Sequence, residues 1–247
     1  MGERRVRMAA DLGLIPTPPT AGSEFQRWSA IYAGEEYYYG SEPGPVVRRA
    51  VRYHRQYRPR GGSALDAGCG EGQDLAFLAA RGYVATGVEF TAAGAAKAER
   101  LLRSRELEAE VVREDLRIYD PPHRFDLVLA VNSLPFLGAD GAACLHELMA
   151  AVAPGGVCGV SFFARPDGDR EIGRPCTGIA SGDGKVGEIV QGLWLLTIEE
   201  LLAFFSGWQM LEAARVWQWN PHTNRPQPFV TLIAHNAPAG DPPLPLP

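Results

Sequence analysis

The amino-acid sequence predicts an α/β fold: a doubly wound, seven-stranded, mostly parallel sheet with an antiparallel edge strand, covered by helices on both faces. Two observations carry this prediction. Apolar segments with strand character alternate with helical segments over five units, which is typical of a parallel sheet with right-handed crossovers. The last two apolar segments are joined by a turn-rich loop without a helix, which predicts an antiparallel pair at the sheet edge.

The boundaries of the predicted elements follow from the local chemistry of the chain. Gly34 ends the first helical segment, and Pro45 stands in the first turn of the second. Thr91 precedes another helical segment as an N-cap, because its hydroxyl can accept from a backbone N–H there. The segment Phe125–Val131 is apolar except for Asp126, which is typical of a strand covered on both faces.

These signals define the elements in chain order. The predicted helices are 24–34, 45–57, 73–81, 91–105, 140–152 and 197–206. The predicted strands are 64–67, 84–89, 109–113, 125–131, 157–163, 209–217 and 229–234. A long polar, glycine-rich passage at 164–192 and a loop at 220–228 are predicted without regular structure.

One domain accounts for most of the 247 residues, because a chain of this length supports a single well-packed core. We predict this domain at 24–235, with an N-terminal helical lid at 24–60. Residues 1–23 combine charges with prolines and are predicted to be a flexible arm. The proline-rich segment 236–247 is predicted to be a disordered tail.

The composition is that of a globular protein with a mildly acidic surface. Hydrophobic residues make up 46% and charged residues 21%, and the formal net charge is −5. This charge disfavours binding to nucleic acid, and no apolar run reaches the ~20 residues that span a bilayer. The cysteines lack metal-ligand spacing, so no metal site is predicted, and they suit reduced thiols in a cytoplasmic protein. They are Cys69, Cys144, Cys158 and Cys176.

The most informative segment is the glycine turn 68–72 after the first predicted strand. Asp66 lies at the end of the strand, and the turn reads Gly-Cys-Gly-Glu-Gly. A dinucleotide-binding turn needs a glycine three residues after its second glycine, and Gln73 stands there instead. An acid ahead of the glycines repels a pyrophosphate but suits a cationic amino group. S-adenosylmethionine carries such a group, so we expect this nucleoside rather than a dinucleotide.

Polar residues also follow the next three strands, at the edge where the carboxyl ends of parallel strands meet. Glu89 ends the second strand, where its carboxylate can accept hydrogen bonds from both ribose hydroxyls. Asp115 follows the third strand and can accept from the adenine amino group. Asn132 follows the fourth, in a loop expected to close over the methionine end. Two apolar residues beside these acids are expected to contact the adenine: Phe90 and Leu116.

With these residues placed, the chain resembles the class I S-adenosylmethionine-dependent methyltransferases, and among them the tellurite-resistance methyltransferase group. The resemblance covers about 24–235 and is carried by Leu65–Gly70 with Gly72, by Phe125–Leu137, by Pro175–Thr177, and by Thr197–Trp208 with Phe229–Ala234. It implies S-adenosylmethionine as cofactor and S-adenosylhomocysteine as product. The predicted cofactor-binding residues are Asp66, Gly68, Cys69, Gly70, Gln73, Asp74, Glu89, Phe90, Asp115, Leu116 and Asn132.

The acceptor side carries weaker signals. The resemblance to the tellurite-resistance group implies a histidine and an arginine before the last strand, and His222 and Arg225 are the predicted catalytic residues. The predicted substrate-binding residues are Tyr32, Tyr37, Tyr39 and Arg174. Structural alternatives remain for several of these residues: a docking contact for Tyr32, a turn histidine for His222, solvated loop charges for Arg174 and Arg225, core packing for Phe90, turn formation for Asn132 and a solvated acid for Asp115.

The predicted function is S-adenosylmethionine-dependent methyl transfer to a small molecule or a small oxyanion, by a monomer or homodimer without nucleic-acid or membrane partners. A methyl group on a sulfonium is already activated, so this class needs positioning and exclusion of water more than a catalytic group. The alternative is a non-catalytic S-adenosylmethionine-binding module that acts through a protein partner. A nicotinamide-dependent oxidoreductase is a third hypothesis, which the glycine spacing opposes.

Overall fold

The structure is a computed structural model that describes residues 24–165, 188–190, 193–220 and 225–238. The predicted arm at 1–23 lies outside the described residues, as do 239–247 of the predicted tail. None of the described helices is long and apolar enough to cross a membrane.

Helices and strands alternate along the chain in the predicted order. The helices are α1 (Glu24–Tyr32), α2 (Pro45–Tyr57), α3 (Gln73–Ala80), α4 (Ala92–Ser104), a 3₁₀ segment (Leu134–Asp140), α5 (Gly141–Ala150) and α6 (Ile198–Phe204). The strands are β1 (Ser63–Ala67), β2 (Val84–Val88), β3 (Glu110–Val112), β4 (Phe125–Val131), β5 (Val152–Phe163), β6 (Glu188–Val190), β7 (Leu193–Leu195), β8 (Gln209–Asn220) and β9 (Arg225–His235).

Seven of the described strands form one sheet in the order β3-β2-β1-β4-β5-β9-β8. The first five are parallel to one another, whereas β9 pairs antiparallel with both β5 and β8. The predicted fold class is confirmed, including the antiparallel pairing at this edge of the sheet. The strand order places β9 one position inside the edge and leaves β8 outermost.

The sheet is covered on both faces, as the continuous apolar strands predict. Alternate residues of β4 point to opposite sides because side chains alternate along a strand. Leu127 and Leu129 pack with residues of α2, α3 and α4, whereas Val128 and Ala130 pack with residues of α5 and α6. This two-sided core holds the carboxyl ends of the parallel strands in a fixed arrangement.

The region 24–60 differs from the predicted lid. Helix α2 buries Val46, Val47 and Ala50 against one face of the sheet, so it is a core helix. Residues of α1, of the loop between α1 and α2, and of the first turn of α2 lie over the carboxyl ends of the strands. The sequence signal for α2, a proline in the first turn and a stripe of apolar residues, marks an amphipathic helix but does not say what it packs on.

The start of β5 was predicted too late. The strand begins at Val152, and Val152 pairs with Phe125 before the register shifts. The Pro154-Gly155-Gly156 segment lies within the strand as an irregularity, and Gly155 has a left-handed φ of 78°. The turn residues Pro154, Gly155 and Gly156 separate the predicted helix 140–152 from the predicted strand 157–163, but in the structure they lie within β5 where its register shifts.

Two further differences concern short or paired strands. The strands β6 and β7 form a separate antiparallel pair that the polar passage did not predict. Strands β8 and β9 extend further into the predicted loop 220–228, because Gln218 pairs with Gln227 and Trp219 with Pro226. Cross-strand pairing decides the lengths of these strands, and the turn-rich composition of the segment gives no sign of that pairing.

Residues 236–238, which begin the predicted disordered tail, belong to the described part of the chain. Asn236 exchanges backbone hydrogen bonds with the β5 irregularity, accepting from Gly155 at 2.7 Å and donating to Gly156 at 2.9 Å. Its side-chain amide donates to the carbonyl of Val152 at 3.2 Å. These contacts extend the ordered chain past the end of β9.

Candidate cofactor site

The turn between β1 and α3 is a glycine cradle that excludes side chains. Gly68 and Gly70 have left-handed φ values of 82° and 53°. A Cβ atom on Gly68 would lie 2.3 Å from the Cβ of Ser133, and one on Gly70 would lie 2.8 Å from the hydroxyl of Tyr32. The backbone N–H groups of Gly68 and Cys69 both donate to the carbonyl of Val88 at 2.9 Å, which ties the turn to β2.

Asp66 lies behind this cradle near the end of β1 and is 2% exposed. The backbone N–H of Leu75 donates to its carboxyl group, whereas Oδ2 has no hydrogen-bond partner within the described part of the chain. Burial, and then the nearby carboxyl of Asp74, raises the pKa of Asp66 well above its usual value. A buried acceptor without a partner is costly, so this oxygen is suited to receive a donor from a ligand.

Gln73 and Asp74 begin α3 next to this cradle, and both line the adjoining cavity. Gln73 Oε1 is also buried without a hydrogen-bond partner among the described residues. Asp74 Oδ1 accepts from the backbone N–H of Gly44 at 2.8 Å, and burial raises the pKa of Asp74 to about 6. The start of α3 therefore concentrates acceptors, which fits a cationic donor group.

Glu89 is held rigidly at the end of β2. Its Oε1 accepts from the backbone N–H of Thr91 at 2.8 Å and from the Thr91 hydroxyl at 2.5 Å. The N–H of Gly70 donates to the same carboxyl group, and burial raises the pKa of Glu89. The Thr91 hydroxyl also accepts from the N–H of Gly94, so the N-cap of α4 and the carboxylate are fixed together.

Asp115 follows β3 and is engaged by an arginine. Its Oδ1 accepts from the backbone N–H of Arg117 at 2.9 Å, and its Oδ2 lies 3.0 Å from the Arg117 guanidinium. The same guanidinium donates to Asp140 at 2.9 Å, and all three side chains are partly exposed. Leu116 lies between these residues on the cavity wall.

Asn132 forms the turn after β4 with a left-handed φ of 56°. Its N–H donates to the carbonyl of Ser161 at 3.0 Å, and its Oδ1 accepts from the Ser161 hydroxyl at 2.8 Å. The following residue, Ser133, donates to the carbonyl of Ala67 at 2.6 Å. These bonds fix the loop against β1 and β5, at the same edge of the sheet as the glycine cradle.

These elements surround a cavity of about 270 Å³. Five aromatic side chains form part of its wall, and three of them surround Trp28. Its ring centroid lies 5.3 Å from that of Tyr32, 6.3 Å from Tyr39 and 4.9 Å from Phe136. The cavity thus has a polar side at the glycine cradle and an aromatic side formed by α1 and the loops.

The structure brings most of the predicted site residues to this cavity. Ten predicted cofactor-binding residues line it: Gly68, Cys69, Gly70, Gln73, Asp74, Glu89, Phe90, Asp115, Leu116 and Asn132. Asp66 is buried and is not among the residues that line the cavity. Of the predicted substrate-binding residues, Tyr32 and Tyr39 line the cavity and Tyr37 does not. Arg174, His222 and the side chain of Arg225 lie outside the described residues.

Sequence reasoning missed other lining residues. Ser133 and Phe136 lie at the start of and within the 3₁₀ segment after β4, and the position of this segment at the sheet edge was the available signal. Gln218 reaches the cavity from β8, and no sequence signal pointed to it, because the predicted strand ended one residue earlier. In the described part of the chain no cluster of three or more potential metal ligands occurs.

Comparison with known proteins agrees with this geometry. Residues 64–156 match a family model described as a methyltransferase domain. The chain is 34% identical over 108 residues to methyltransferase cfoB of Aspergillus candidus, a match that covers 42% of this chain and 33% of cfoB. The aligned segment therefore spans about one third of the length of this curated relative.

Solved structures share the fold at low sequence identity. TehB from Haemophilus influenzae superposes with a TM-score of 0.59 at 15% identity, covering 86% of this chain and 66% of TehB. The N-methyltransferase NodS from Bradyrhizobium japonicum, solved with S-adenosylhomocysteine, gives a TM-score of 0.61 at 14% identity and covers 87% of this chain and 99% of NodS. At these identities the likeness establishes the fold.

The family match and the fold together define the class. Residues 64–156 match the methyltransferase-domain family model, and the fold resembles that of class I methyltransferases, among them TehB. The predicted resemblance is thereby confirmed. Such a domain implies S-adenosylmethionine as cofactor, as predicted. The residues present fit this group, because Asp66 Oδ2 and Gln73 Oε1 are buried acceptors to which no other described residue donates, next to a cradle that a Cβ atom would fill.

Proposed function

We propose that the protein is an S-adenosylmethionine-dependent methyltransferase that acts on a small-molecule acceptor. One observation carries the proposal. Gln73 Oε1 on the cavity wall and Asp66 Oδ2, buried near the end of β1, have no hydrogen-bond partner among the described residues. Both residues flank the glycine cradle in the chain, and aromatic rings line another part of the cavity. A cationic nucleoside held at the polar side would present its reactive end toward the rings.

The cofactor-binding roles follow from the chemistry of each position. The acids at the cradle, Asp66 and Asp74, would hold the amino group of the cofactor, and Glu89 would accept from the ribose hydroxyls. Phe90 and Leu116 would contact the adenine, and Asp115 would accept from its amino group while Arg117 fixes that carboxylate. The bound cofactor supplies an activated methyl group, and these residues hold it in place.

The acceptor would lie among Trp28, Tyr39, Phe136 and Gln218. Methyl transfer is an in-line displacement, so these side chains would place the acceptor atom at roughly 3–3.5 Å from the methyl group and exclude water. Aromatic faces also stabilise the positive charge of the sulfonium. A general base is required only for methyl acceptors that must lose a proton, and His222 remains the prediction for that role. Arg225 remains a predicted catalytic residue that faces the substrate and does not take up a proton.

The charge of the wall favours a neutral or cationic acceptor over an oxyanion. Among the described lining residues there are six carboxylates and a single guanidinium. That guanidinium, Arg117, is already paired with Asp115 and Asp140. An anionic acceptor would meet net repulsion from these groups.

The proposal extends to the setting of the protein. A cytoplasmic location is supported by the buried free thiols Cys69, Cys144 and Cys158, which suit a reducing compartment. The net charge of −5 supports the absence of a nucleic-acid partner. We propose a monomer or homodimer without a membrane partner.

Two measurements test the function. Titration calorimetry should detect binding of S-adenosylhomocysteine, and Glu89→Gln should weaken it by about 1–3 kcal/mol because a charge-assisted hydrogen bond is lost. Glu108→Gln, on an exposed residue, is the matched control. Product release should then be measured over amines, phenols, thiols, heterocycles and tellurite. No binding would refute the proposal, and binding without turnover on any acceptor would support the non-catalytic module instead.

A further inference from the structure

The loop between α1 and α2, residues 33–44, forms part of the cofactor cavity. Tyr39, Glu42 and Gly44 from this loop line the cavity wall. Loops of this kind are usually among the less stable parts of a fold. What fastens this loop to the domain therefore bears directly on the shape of the cavity.

A buried ion pair lies beneath the loop. Lys97 on α4 and Glu71 in the glycine turn approach to 2.6 Å, and their side chains are only 5% and 1% exposed. The Lys97 ammonium also donates to the backbone carbonyl of Glu36, at 2.5 Å. The ammonium thus joins three parts of the chain: α4, the glycine turn and the loop.

Two tyrosines of the loop complete this connection. The hydroxyl of Tyr37 donates to the backbone carbonyl of Lys97 at 3.2 Å, and the Lys97 ammonium lies 5.5 Å from the centre of the Tyr37 ring. The backbone N–H of Tyr39 donates to Glu71 Oε2 at 3.4 Å. Both charged side chains therefore contact the loop as well as each other.

The remaining fastenings lie at the far end of the loop. The Arg105 guanidinium donates to the carbonyl of Ser41 at 2.9 Å and lies 3.7 Å from Glu42. The N–H of Gly44 donates to Asp74 at 2.8 Å. Between these contacts and α1, the Lys97–Glu71 pair bonds the backbone of the loop segment 36–39 at Glu36 and at Tyr39.

A buried ion pair is an inefficient way to stabilise a fold. Removing two charges from water costs about as much as their attraction returns, and apolar residues of similar volume often stabilise a protein equally well. Apolar residues, however, could not accept a hydrogen bond from the N–H of Tyr39 or donate one to the carbonyl of Glu36. The polar chemistry of the pair is needed only where it meets the loop.

We propose that Lys97 and Glu71 are positioning residues that hold the loop 33–44 over the cofactor cavity. In this way they set the affinity of the protein for the cofactor. This inference rests on the proposed cofactor site. Neither side chain was assigned a role by the sequence, because the residues are far apart in the chain and their pairing depends on the packing of α4 beside the glycine turn.

The decisive variant removes both charges. Single Lys97→Met or Glu71→Met substitutions each leave a buried charge without its partner and should lower stability. The double variant with Lys97→Met and Glu71→Met restores a matched, apolar pair of nearly the same volume. Its melting temperature should recover toward the wild-type value, whereas its loop contacts stay lost.

The double variant should bind S-adenosylhomocysteine at least tenfold more weakly than wild type, a change of about 1.4 kcal/mol. Amide hydrogen exchange should accelerate at residues 36–41, and KM for S-adenosylmethionine should rise with little change in kcat. Affinity within twofold of wild type, together with unchanged exchange in the loop, would overturn the inference. Failure of the wild-type protein to bind would instead refute the proposed function.

A second variant tests the loop side without burying a lone charge. Tyr37→Leu removes the hydroxyl contact and the aromatic ring but leaves the ion pair intact, and it should weaken binding about threefold and speed exchange at 36–41. Arg103→Met, which removes an exposed arginine near the end of α4, is the control and should change neither. Unchanged exchange and affinity in Tyr37→Leu would contradict the inference even if the double variant did not fold.

Discussion

Two acids on neighbouring strands, one at the amino ends of the parallel strands and one at the carboxyl ends, have different surroundings. Asp126, near the start of β4, accepts from the N–H and the hydroxyl of Ser63 at 2.9 and 3.2 Å and lies 3.7 Å from the Arg58 guanidinium. Asp66, near the end of β1, is more deeply buried and has an oxygen without a partner among the described residues. One carboxylate is satisfied by the fold, and the other is left for a ligand.

This contrast separates stability from binding. A satisfied carboxylate contributes to folding, because its hydrogen bonds replace those it made with water. An unsatisfied, buried carboxylate lowers the stability of the ligand-free protein, and this stability is regained when a ligand donates a hydrogen bond to it. Substitutions at the two ends of the sheet should therefore have different consequences.

The largest effect is expected at the glycine cradle. In Gly68→Ala the new methyl group would lie 2.3 Å from Ser133 Cβ in a residue with φ of 82°, so the turn must shift and binding of S-adenosylhomocysteine should fall by at least about 3 kcal/mol. Calorimetry measures this change. Gly82→Ala, at a similar φ of 77° but with open space around it, should lower stability by about 1 kcal/mol and leave affinity unchanged. Equal losses of affinity in both variants would contradict this prediction, because they would show that backbone strain and not the clash with Ser133 weakens binding.

The comparison of Asp66 with Asp126 provides the next prediction. Asp66→Asn should weaken S-adenosylhomocysteine binding by about 1–3 kcal/mol while the free energy of unfolding stays equal or rises, because a buried charge is removed. Asp126→Asn should lower the free energy of unfolding by about 1–2 kcal/mol with unchanged affinity. Urea denaturation and calorimetry on both variants measure the two effects. A loss of stability in Asp66→Asn would show that its carboxylate serves the fold.

The raised pKa values predict a dependence on pH. Because the folded-state pKa of Asp74 is raised to about 6, the folded protein binds more protons than the unfolded chain between pH 6 and 4, and this group favours folding as the pH falls through that range. Binding of a cationic amino group needs the ionised acids, so affinity should fall roughly tenfold per pH unit below about 6 for each proton taken up. Calorimetry between pH 5 and 7.5 tests this, and Asp74→Asn should flatten the profile.

The smallest effects are expected at two helix caps. Thr91 caps α4 and also holds Glu89, whereas Thr197 caps α6 in a reciprocal arrangement with Glu200. Replacement of either threonine by alanine should lower the free energy of unfolding by about 1 kcal/mol. Only Thr91→Ala should also weaken S-adenosylhomocysteine binding, by a few fold. Parallel calorimetry would contradict this if Thr197→Ala gave the same loss of affinity.

Much of this organisation was accessible from the sequence. The site was predicted from the glycine turn, Asp66 and Glu89, because parallel strands bring their carboxyl ends to one edge of a sheet. The pairing of Lys97 with Glu71 was not accessible, because it depends on how α4 packs beside the turn. The role of α2 was misjudged for the same reason: amphipathic spacing shows that a helix packs, but not on which surface.

The sequence alone determined the fold class and the edge of the sheet where a ligand would bind, because strand periodicity, glycine turns and acids at strand ends are local features of the chain. The tertiary structure decided which acids are satisfied, where β8 brings Gln218 to the cavity and how the loop 33–44 is held. Those outcomes depend on contacts between residues far apart in the chain, and burial and pairing exist only after the chain has packed.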